Sequence, residues 1–248
     1  TNIWGCNDLH INQKITMKKI FSLVLLTLSI SSFAQGGTFG KDPIINLENF
    51  DRKPVHWGYY LGFNSYDFKF DYKEIAPDIE VKTSTGFNVG LIGNLRISEH
   101  LDLRFEPGLS YTQRNLIYPE IEDEFDKKRE VKSTYINFPL LLKFSAKRTG
   151  NIKPYLIGGY SYSLNLASNF DSKDDNYAQK FRMKRTTGNI EAGIGIDFYF
   201  EYFKFSPSIR GIFGMGDEII PDNASDSPWT GNISKMQTRG FFINFAFH

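Results

Sequence analysis

Few residues of this chain have the types and spacing that enzymatic chemistry requires. A serine nucleophile needs a base such as histidine to accept its proton, and His56, His100 and His248 are the histidines that follow the apolar N-terminal segment. All three are expected at one rim of the predicted fold, opposite the rim where a lipid deacylase or acyltransferase would hold its serine and base. We therefore predict no catalytic residue and expect the protein not to be an enzyme.

Sites for metals, cofactors and nucleic acids are not indicated either. The acidic residues between predicted strands lack EF-hand spacing, and such side chains are usually just solvated: Asp174, Asp175, Asp217, Glu218, Asp222 and Asp226. Cys6 is the one cysteine and precedes the predicted mature chain. Lysine and arginine number 29 against 28 aspartate and glutamate residues, without the basic excess usual in nucleic-acid-binding proteins. We predict no metal, no cofactor, no nucleic acid and no small-molecule substrate.

The elements that position the charged residues are β-strands, because almost nothing in the chain has helical periodicity. Alternating segments predict eight strands, near residues 57–68, 84–97, 101–114, 133–146, 154–168, 188–200, 202–213 and 239–248. Short connections between the strands alternate with long ones, and the long ones lie at about 69–83, 115–132, 169–187 and 214–238. Tight turns on one rim and long loops on the other are typical of an up-and-down barrel.

The two faces of each strand decide between a soluble and a membrane barrel. In "YINFPLLLKF", residues 135–144, the apolar face holds Phe138, Leu140, Leu142 and Phe144, and the other holds Asn137, Pro139 and Lys143. A small membrane barrel turns its bulky apolar residues to lipid and fills a narrow lumen with small or paired polar groups. We predict an all-β protein in which residues 57–248 form an eight-stranded antiparallel up-and-down transmembrane β-barrel, its lumen too full for a channel.

Charged residues recur on the predicted lumen face and are expected to form a structural network of Arg96, Asp102, Arg104, Glu106, Lys143, Glu191, Asp197, Lys204 and Arg210. Opposed charges across a strand pair are favourable, and a narrow lumen needs its charges paired. The predicted register places Arg96 opposite Asp102. It also places Glu191 opposite Arg210, and Asp197 opposite Lys204. Pro107, Pro139 and Pro207 interrupt these strands, so we expect a bulge or local unpairing near each.

The N-terminus predicts export. "MKKIFSLVLLTLSISSFAQ" has two lysines, an apolar run and small residues before a cut, which is the plan of a signal peptide at residues 17–34, cleaved between Ala34 and Gln35. Residues 1–16 precede the natural start and are interpreted as upstream translation or a start-site error. Residues 35–56 are expected to form a flexible periplasmic lead-in. The aromatic last strand, "RGFFINFAFH", is of the kind that outer-membrane insertion machinery recognises, so we expect the protein in the outer membrane, surrounded by its lipid.

Three successive segments carry a family resemblance. "LDLRFEPGLSYTQR" (101–114), "STYINFPLLLKF" (133–144) and "KPYLIGGYSYSLN" (153–165) resemble the PorT-like outer-membrane β-barrel family. The resemblance covers roughly residues 57–248. It implies a non-catalytic outer-membrane protein that acts as an accessory of type IX secretion, with other secretion-system proteins as partners. That system exports cargo with C-terminal sorting domains and supports gliding where gliding occurs. The alternative is a free-standing adhesin or envelope-stabilising barrel that acts through its extracellular loops.

Overall fold

The computed structural model describes residues 44–75, 77–224 and 226–248. The predictions for residues 1–16, for the signal peptide at 17–34 with its cleavage site, and for the first part of the lead-in lie outside these residues. Among the residues that are described, no helix is long and apolar enough to cross a membrane.

Ten strands form one antiparallel sheet. They are β1 (Val55–Tyr72), β2 (Glu80–Thr83), β3 (Thr85–Arg96), β4 (Leu101–Phe105), β5 (Gly108–Ile117), β6 (Lys128–Ser145), β7 (Ile152–Asn165), β8 (Thr186–Tyr199), β9 (Lys204–Gly214) and β10 (Ile233–Phe247). One short helix, α1, spans Glu124–Lys127, and 3-10 turns lie at Phe50–Arg52 and Asn176–Ala178.

The sheet closes on itself, because β1 pairs with β10 on one side and with β3 on the other. Only Ser84 separates β2 from β3, and both pair with β5. These two strands therefore form a single passage of the chain along the barrel wall, which counts as one crossing. Likewise β4 and β5 form one crossing, and both pair with β3 and β6. The ring therefore has eight antiparallel crossings, which confirms the predicted strand number and topology.

The strands extend further towards the long-loop rim than the sequence predicted. β1 continues to Tyr72, and β10 begins at Ile233. Three of the four connections at that rim are therefore shorter than predicted, at residues 73–79, 118–127 and 215–232. The fourth, at 166–185, does not shorten, because β7 ends at Asn165, three residues before its predicted end. Polar residues in these strand extensions resemble loop residues in the sequence, although they keep pairing beyond the apolar belt.

The outer surface is apolar in the middle and aromatic at both margins. Large apolar side chains remain exposed there, including Leu61, Leu91, Leu140, Leu142, Leu156, Ile194 and Ile209. Trp57, Tyr202 and Phe203 mark the short-turn margin, and Phe63, Phe87, Phe213 and Phe241 mark the other. Flanking aromatic girdles are what the lipid-facing surface of a membrane barrel carries. The face assignment in residues 135–144 is confirmed, since Asn137 and Lys143 are buried while Phe138 and Phe144 are exposed.

One predicted register is confirmed over the whole crossing. Arg96 pairs with Asp102 between β3 and β4, and the same register continues as Phe87 with Tyr111 between β3 and β5. The interruption between β4 and β5 therefore leaves the register unchanged.

The other predicted register, between β8 and β9, is wrong by two residues. The ladder pairs Gly193↔Arg210 and Tyr199↔Lys204, in place of Glu191↔Arg210 and Asp197↔Lys204. The reason is the turn, which occupies four residues, Phe200–Phe203, and is closed by a hydrogen bond from Phe200 N to Phe203 O at 3.0 Å. Turn length fixes hairpin register, and the predicted turn was two residues shorter.

The expected ladder defect is present around Pro207. The ladder between β8 and β9 passes from the pair Gly195↔Ser208 directly to Phe198↔Phe205. A proline has no N–H to donate, so the two strands separate locally at this point.

Pro107 and Pro139 share a second defect. β4 ends at Phe105 and β5 begins at Gly108, so the strand is interrupted at Glu106 and Pro107. β6 runs through Pro139 without a break, which the prediction did not anticipate. Glu106 N donates to Pro139 O at 3.2 Å, and the return bond is impossible for proline. Both prolines therefore face one gap between neighbouring crossings.

Candidate functional site

The middle of the lumen holds a cluster of charges centred on Glu106. Its carboxylate lies 3.2 Å from Arg104 Nε and 2.7 Å from Arg210 Nη2. Arg210 Nη1 donates to Glu191 Oε2 at 3.2 Å. The side chains of these residues are at most 5% exposed. Each charge is compensated within the cluster, as a desolvated lumen requires.

A second cluster, centred on Asp197, lies towards the short-turn rim. Lys143 Nζ donates to Asp197 Oδ2 at 2.6 Å, and Lys204 Nζ lies 3.7 Å from the same oxygen. Ser206 Oγ donates to the other carboxylate oxygen at 2.6 Å. The ladder gap around Pro207 covers Asp197 and Ser206, so the local separation of β8 and β9 lies beside this cluster.

Seven of the nine predicted network residues are buried in the lumen: Arg104, Glu106, Lys143, Glu191, Asp197, Lys204 and Arg210. The two predicted contacts between β8 and β9 form although the register was wrong, because long side chains reach diagonal neighbours. Arg96 and Asp102 are opposite each other but only half-buried. Arg96 Nε donates to Ser98 O at 3.3 Å instead of to Asp102, so this pair does not join the network.

Several lumen residues were not assigned from the sequence, among them His248 and Arg114. His248 Nε2 lies 2.8 Å from Arg104 Nη2, so the C-terminal residue belongs to the central network. Arg114 is fully buried and donates to Tyr135 Oη at 2.9 Å and to Ser133 Oγ at 3.0 Å. Its guanidinium also lies 3.7 Å from the centre of the Phe68 ring. The sequence could have indicated that Arg114 faces the lumen, because Arg114 and Arg104 are an even number of residues apart and therefore lie on the same face of the sheet.

Neutral polar groups fill the next layer of the lumen. Asn137 Nδ2 donates to Ser110 Oγ at 2.8 Å, and Ser163 Oγ donates to Asn137 Oδ1 at 2.7 Å. Asn189 Nδ2 continues the chain to Ser163 Oγ at 2.9 Å. A cavity of about 10 Å³ lies between these groups and the central cluster, at the lower limit for one water molecule. This part of the lumen is filled by side chains.

The lead-in covers the short-turn end of the barrel. Phe50 stacks on His56 with ring centres 4.6 Å apart, and Lys204 Nζ lies 4.9 Å from the Phe50 ring centre. Arg148 Nη1 donates to Leu47 O at 3.3 Å, and Arg148 also bonds Asn46 O. The described lead-in from Asn46 onwards is therefore tied to the rim, whereas a flexible segment was expected.

Asp51 attaches the lead-in to the barrel. Tyr199 Oη donates to Asp51 Oδ2 at 2.6 Å, and Lys153 Nζ lies 3.4 Å away. Burial raises the pKa of the Asp51 carboxyl, but the Tyr199 hydrogen bond and the Lys153 charge outweigh burial and hold the pKa below its ordinary value. The ionised carboxylate therefore favours the attached lead-in.

We predict that the lead-in detaches in acid. Because the folded pKa of Asp51 is lowered, its stabilisation is complete above the ordinary aspartate pKa of about 4 and is lost as the pH falls through the lowered value. Asp51→Asn should reproduce the loss at neutral pH, measured as faster amide hydrogen exchange in residues 45–52. The exposed Glu48→Gln is the matched control and should exchange like the wild type. Unchanged exchange in Asp51→Asn would contradict the attachment.

The three histidines lie at the short-turn rim, as predicted. His56 packs under Phe50, and His100 Nδ1 lies 3.0 Å from Ser145 O. His248 N donates to Lys204 O at 3.0 Å, which places it at the same end. A catalytic serine at the opposite rim would have none of these imidazoles within reach.

The long connections and the strand ends beneath them form an apolar core at the other end of the barrel. Ten buried side chains make up this cap core: Phe68, Leu116, Tyr118, Val131, Phe181, Met183, Ile219, Trp229, Ile233 and Met236. Met183 and Ile219 form a β-bridge that joins two connections. Trp229 Nε1 donates to Asp126 O at 3.0 Å, which joins a third. These connections are packed against one another.

Acidic residues of the cap serve as hydrogen-bond acceptors. Asp222 accepts from the side chain of Asn176 at 2.9 and 3.0 Å and from Ser227 Oγ at 2.5 Å. Glu218 accepts from Thr238 Oγ1 at 2.7 Å. Asp217, another acidic residue between the predicted strands, forms an ion pair with Lys184, with 3.1 Å between Lys184 Nζ and Asp217 Oδ2. These bonds hold the connections together.

A closed ring of eight crossings, an apolar outer belt and a compensated polar lumen define a membrane β-barrel. The model of the family described as "Outer membrane protein beta-barrel domain" matches residues 33–219, and the chain belongs to this family. It is therefore an outer-membrane β-barrel protein.

Several solved structures are similar to this chain, at low identity. OprG from Pseudomonas aeruginosa is 14% identical with a TM-score of 0.45, covering 78% of this chain and 92% of that one. Neisserial surface protein A is 11% identical with a TM-score of 0.40, covering 78% of this chain and 98% of that one. AlkL, determined in lipid bilayers, is 13% identical with a TM-score of 0.42, covering 85% and 93%. No curated protein matches the chain significantly.

Proposed function

We propose that this protein is a non-catalytic outer-membrane accessory of type IX protein secretion, in the manner of PorT, which is called SprT in gliding bacteria. The observation that carries the proposal is the set of three PorT-like segments, which occupy adjacent crossings. Gly108 pairs with Asn137 between β5 and β6, and Leu141 pairs with Gly159 between β6 and β7. Glu106 of the first segment is the centre of the lumen network.

The filled lumen supports a role exerted through surfaces. Charged clusters fill the middle, the lead-in covers one end and the cap core covers the other. An eight-stranded barrel leaves little room beyond its own side chains. Secretion-system partners would then contact the outer belt, the lead-in or the cap, and cargo would cross the membrane elsewhere.

A clean deletion in the native host tests the secretion role. The surface proteome should lose cargo with C-terminal sorting domains, this cargo should accumulate in the periplasm, and the restored gene should reverse both changes. Complementation with Asp71→Asn, a conservative change at a side chain that is 45% exposed, controls for expression from the restored copy. Normal cargo at the surface of the deletion strain would rule the role out.

The alternative is an adhesin or envelope-stabilising barrel that acts through its extracellular loops. The observation that favours it is the packed cap, because an ordered loop surface suits recognition of a partner outside the cell. Replacing the exposed residues of the connections 118–127 and 166–185, with the cap core kept, should abolish adhesion and spare secretion. Loss of secreted cargo with unchanged adhesion would favour the secretion role instead.

A further inference from the structure

The lipid-facing surface has an open apolar notch near the short-turn rim. Its volume is about 670 Å³, and its lining includes the small outward residues Ala146, Pro154 and Pro207. Taller side chains form its walls: Phe144, Leu156, Ile194, Ile196, Ile209 and Ile243. The two prolines flank Ile196, which pairs with Pro154 across β7 and β8. In a bilayer, such a lining favours hydrocarbon over water.

A charged pocket adjoins the rim end of the notch. Ala146 lines both spaces. Lys153 of the pocket and Pro154 of the notch are neighbours on β7 that face the lumen and the outer surface respectively, so the pocket lies on the inner side of the rim. The pocket encloses about 190 Å³ and carries both signs of charge: Glu48, Asp51, Arg52, Arg96, Glu99, Lys147, Arg148 and Lys153, together with His100.

Several charges of this pocket remain available. Asp51 and Lys153 bind each other, and Arg148 binds backbone carbonyls of the lead-in. In the described part of the chain, Arg52 and Lys147 make no ion pair within 4.0 Å, and neither do Glu48 and Glu99. Basic side chains and carboxylates that do not pair with each other can bind a ligand that carries both a negative and a positive group.

We propose that the notch and the pocket together bind one phospholipid whose headgroup carries a phosphate and a primary ammonium. One acyl chain lies in the notch against Ile194 and Ile209. The phosphate meets the basic side chains, among them Lys147, and the ammonium donates hydrogen bonds to the carboxylates Glu48 and Glu99. Apolar space beside a pocket with five basic side chains and three carboxylates matches an amphiphile whose headgroup carries both a phosphate and an ammonium.

Native mass spectrometry of the detergent-purified full chain tests the proposal with three lipids of equal chain length. Phosphatidylethanolamine should be retained at one molecule per barrel. Phosphatidylcholine, whose quaternary ammonium cannot donate hydrogen bonds, and phosphatidylglycerol, which lacks an ammonium, should bind about tenfold more weakly, the cost of roughly one such contact. Equal retention of the three lipids would overturn the headgroup assignment.

Variants on one strand separate the notch from the general lipid-facing surface. Ile194→Trp fills the notch and should weaken phosphatidylethanolamine binding about tenfold, since about two buried methylene groups account for that change. Ile190→Trp changes another outward isoleucine of β8 outside the notch and should bind like the wild type. Heat-shifted gel mobility verifies folding of both variants. Wild-type retention by Ile194→Trp, or equal weakening by Ile190→Trp, would overturn the notch as the acyl site.

The pocket is tested by charge. Lys147→Glu should weaken phosphatidylethanolamine retention several-fold, whereas Lys132→Glu, an exposed lysine on β6 towards the other rim, should not. The two substitutions change net charge equally, so a common effect would show that overall charge, and not this pocket, governs retention.

Discussion

Replacing Glu106 by glutamine is expected to destabilise the folded barrel by about 3–5 kcal/mol, the typical effect of breaking a buried ion pair. The carboxylate is shared by Arg104 and Arg210 at 3.2 and 2.7 Å. Arg210 keeps Glu191, but Arg104 is left with His248, a neutral acceptor at best, at 2.8 Å. An uncompensated guanidinium inside a lumen without bulk water is what makes the effect large.

Urea unfolding in lipid vesicles, followed by heat-shifted gel mobility, measures the effect of Glu106→Gln. The control is Asp71→Asn, which removes an exposed pair with Lys69 at 3.4 Å. Exposed pairs contribute at most about 1 kcal/mol, so this variant should unfold at nearly the wild-type urea concentration. Glu191→Ala, like Glu106→Gln, should unfold at a lower urea concentration than the wild type. If Glu106→Gln unfolded together with the control, the lumen network would not be a source of stability.

Replacing Trp229 by alanine is expected to open the cap while the barrel stays folded. The indole is 5% exposed, packs edge-on against Tyr177 at 4.9 Å and lies under the Arg129 guanidinium at 4.6 Å. Truncating a buried tryptophan typically costs about 3–5 kcal/mol. Trp229 lies on a connection, and the strands that carry the other half of the cap core keep their backbone ladder, so the loss should be local.

Limited proteolysis of the folded protein in vesicles measures cap opening. Trp229→Ala should be cleaved within 118–127, 166–185 or 215–232 much faster than the wild type, with the heat-shifted mobility of the barrel retained. Phe125→Ala is the matched control, because Phe125 lies on the same cap but is 70% exposed. Wild-type cleavage rates in Trp229→Ala would show that the connections do not depend on this core.

Sequence alternation predicted the barrel and most of its lumen, because each strand position has only two possible faces. Arg104, Glu106 and Lys143 were assigned correctly for this reason. Register was less accessible, since it depends on turn length, and the four-residue turn at 200–203 shifted one hairpin by two residues. Contacts such as Arg210 with Glu191 survived the shift because long side chains reach diagonal neighbours.

The two covered ends could not be predicted from alternation. The cap core joins residues far apart in the chain, such as Met183 with Ile219 and Trp229 with Asp126, through irregular segments that have no period. The lead-in is likewise polar and short, and its attachment depends on Asp51 meeting Tyr199. Such contacts follow from the closed ring, which brings distant connections to one rim.

Ion conductance across a planar bilayer tests whether the lumen of the folded barrel is filled. The folded full chain, verified by heat-shifted mobility, should add no reproducible conductance steps above the bare bilayer, while a wide porin reconstituted in the same way should add them. Asp51→Asn and Trp229→Ala should also stay closed, because the clusters around Glu106 and Asp197 still fill the middle of the lumen. Stable, voltage-independent steps from the wild-type protein would show instead that the lumen is an open pore.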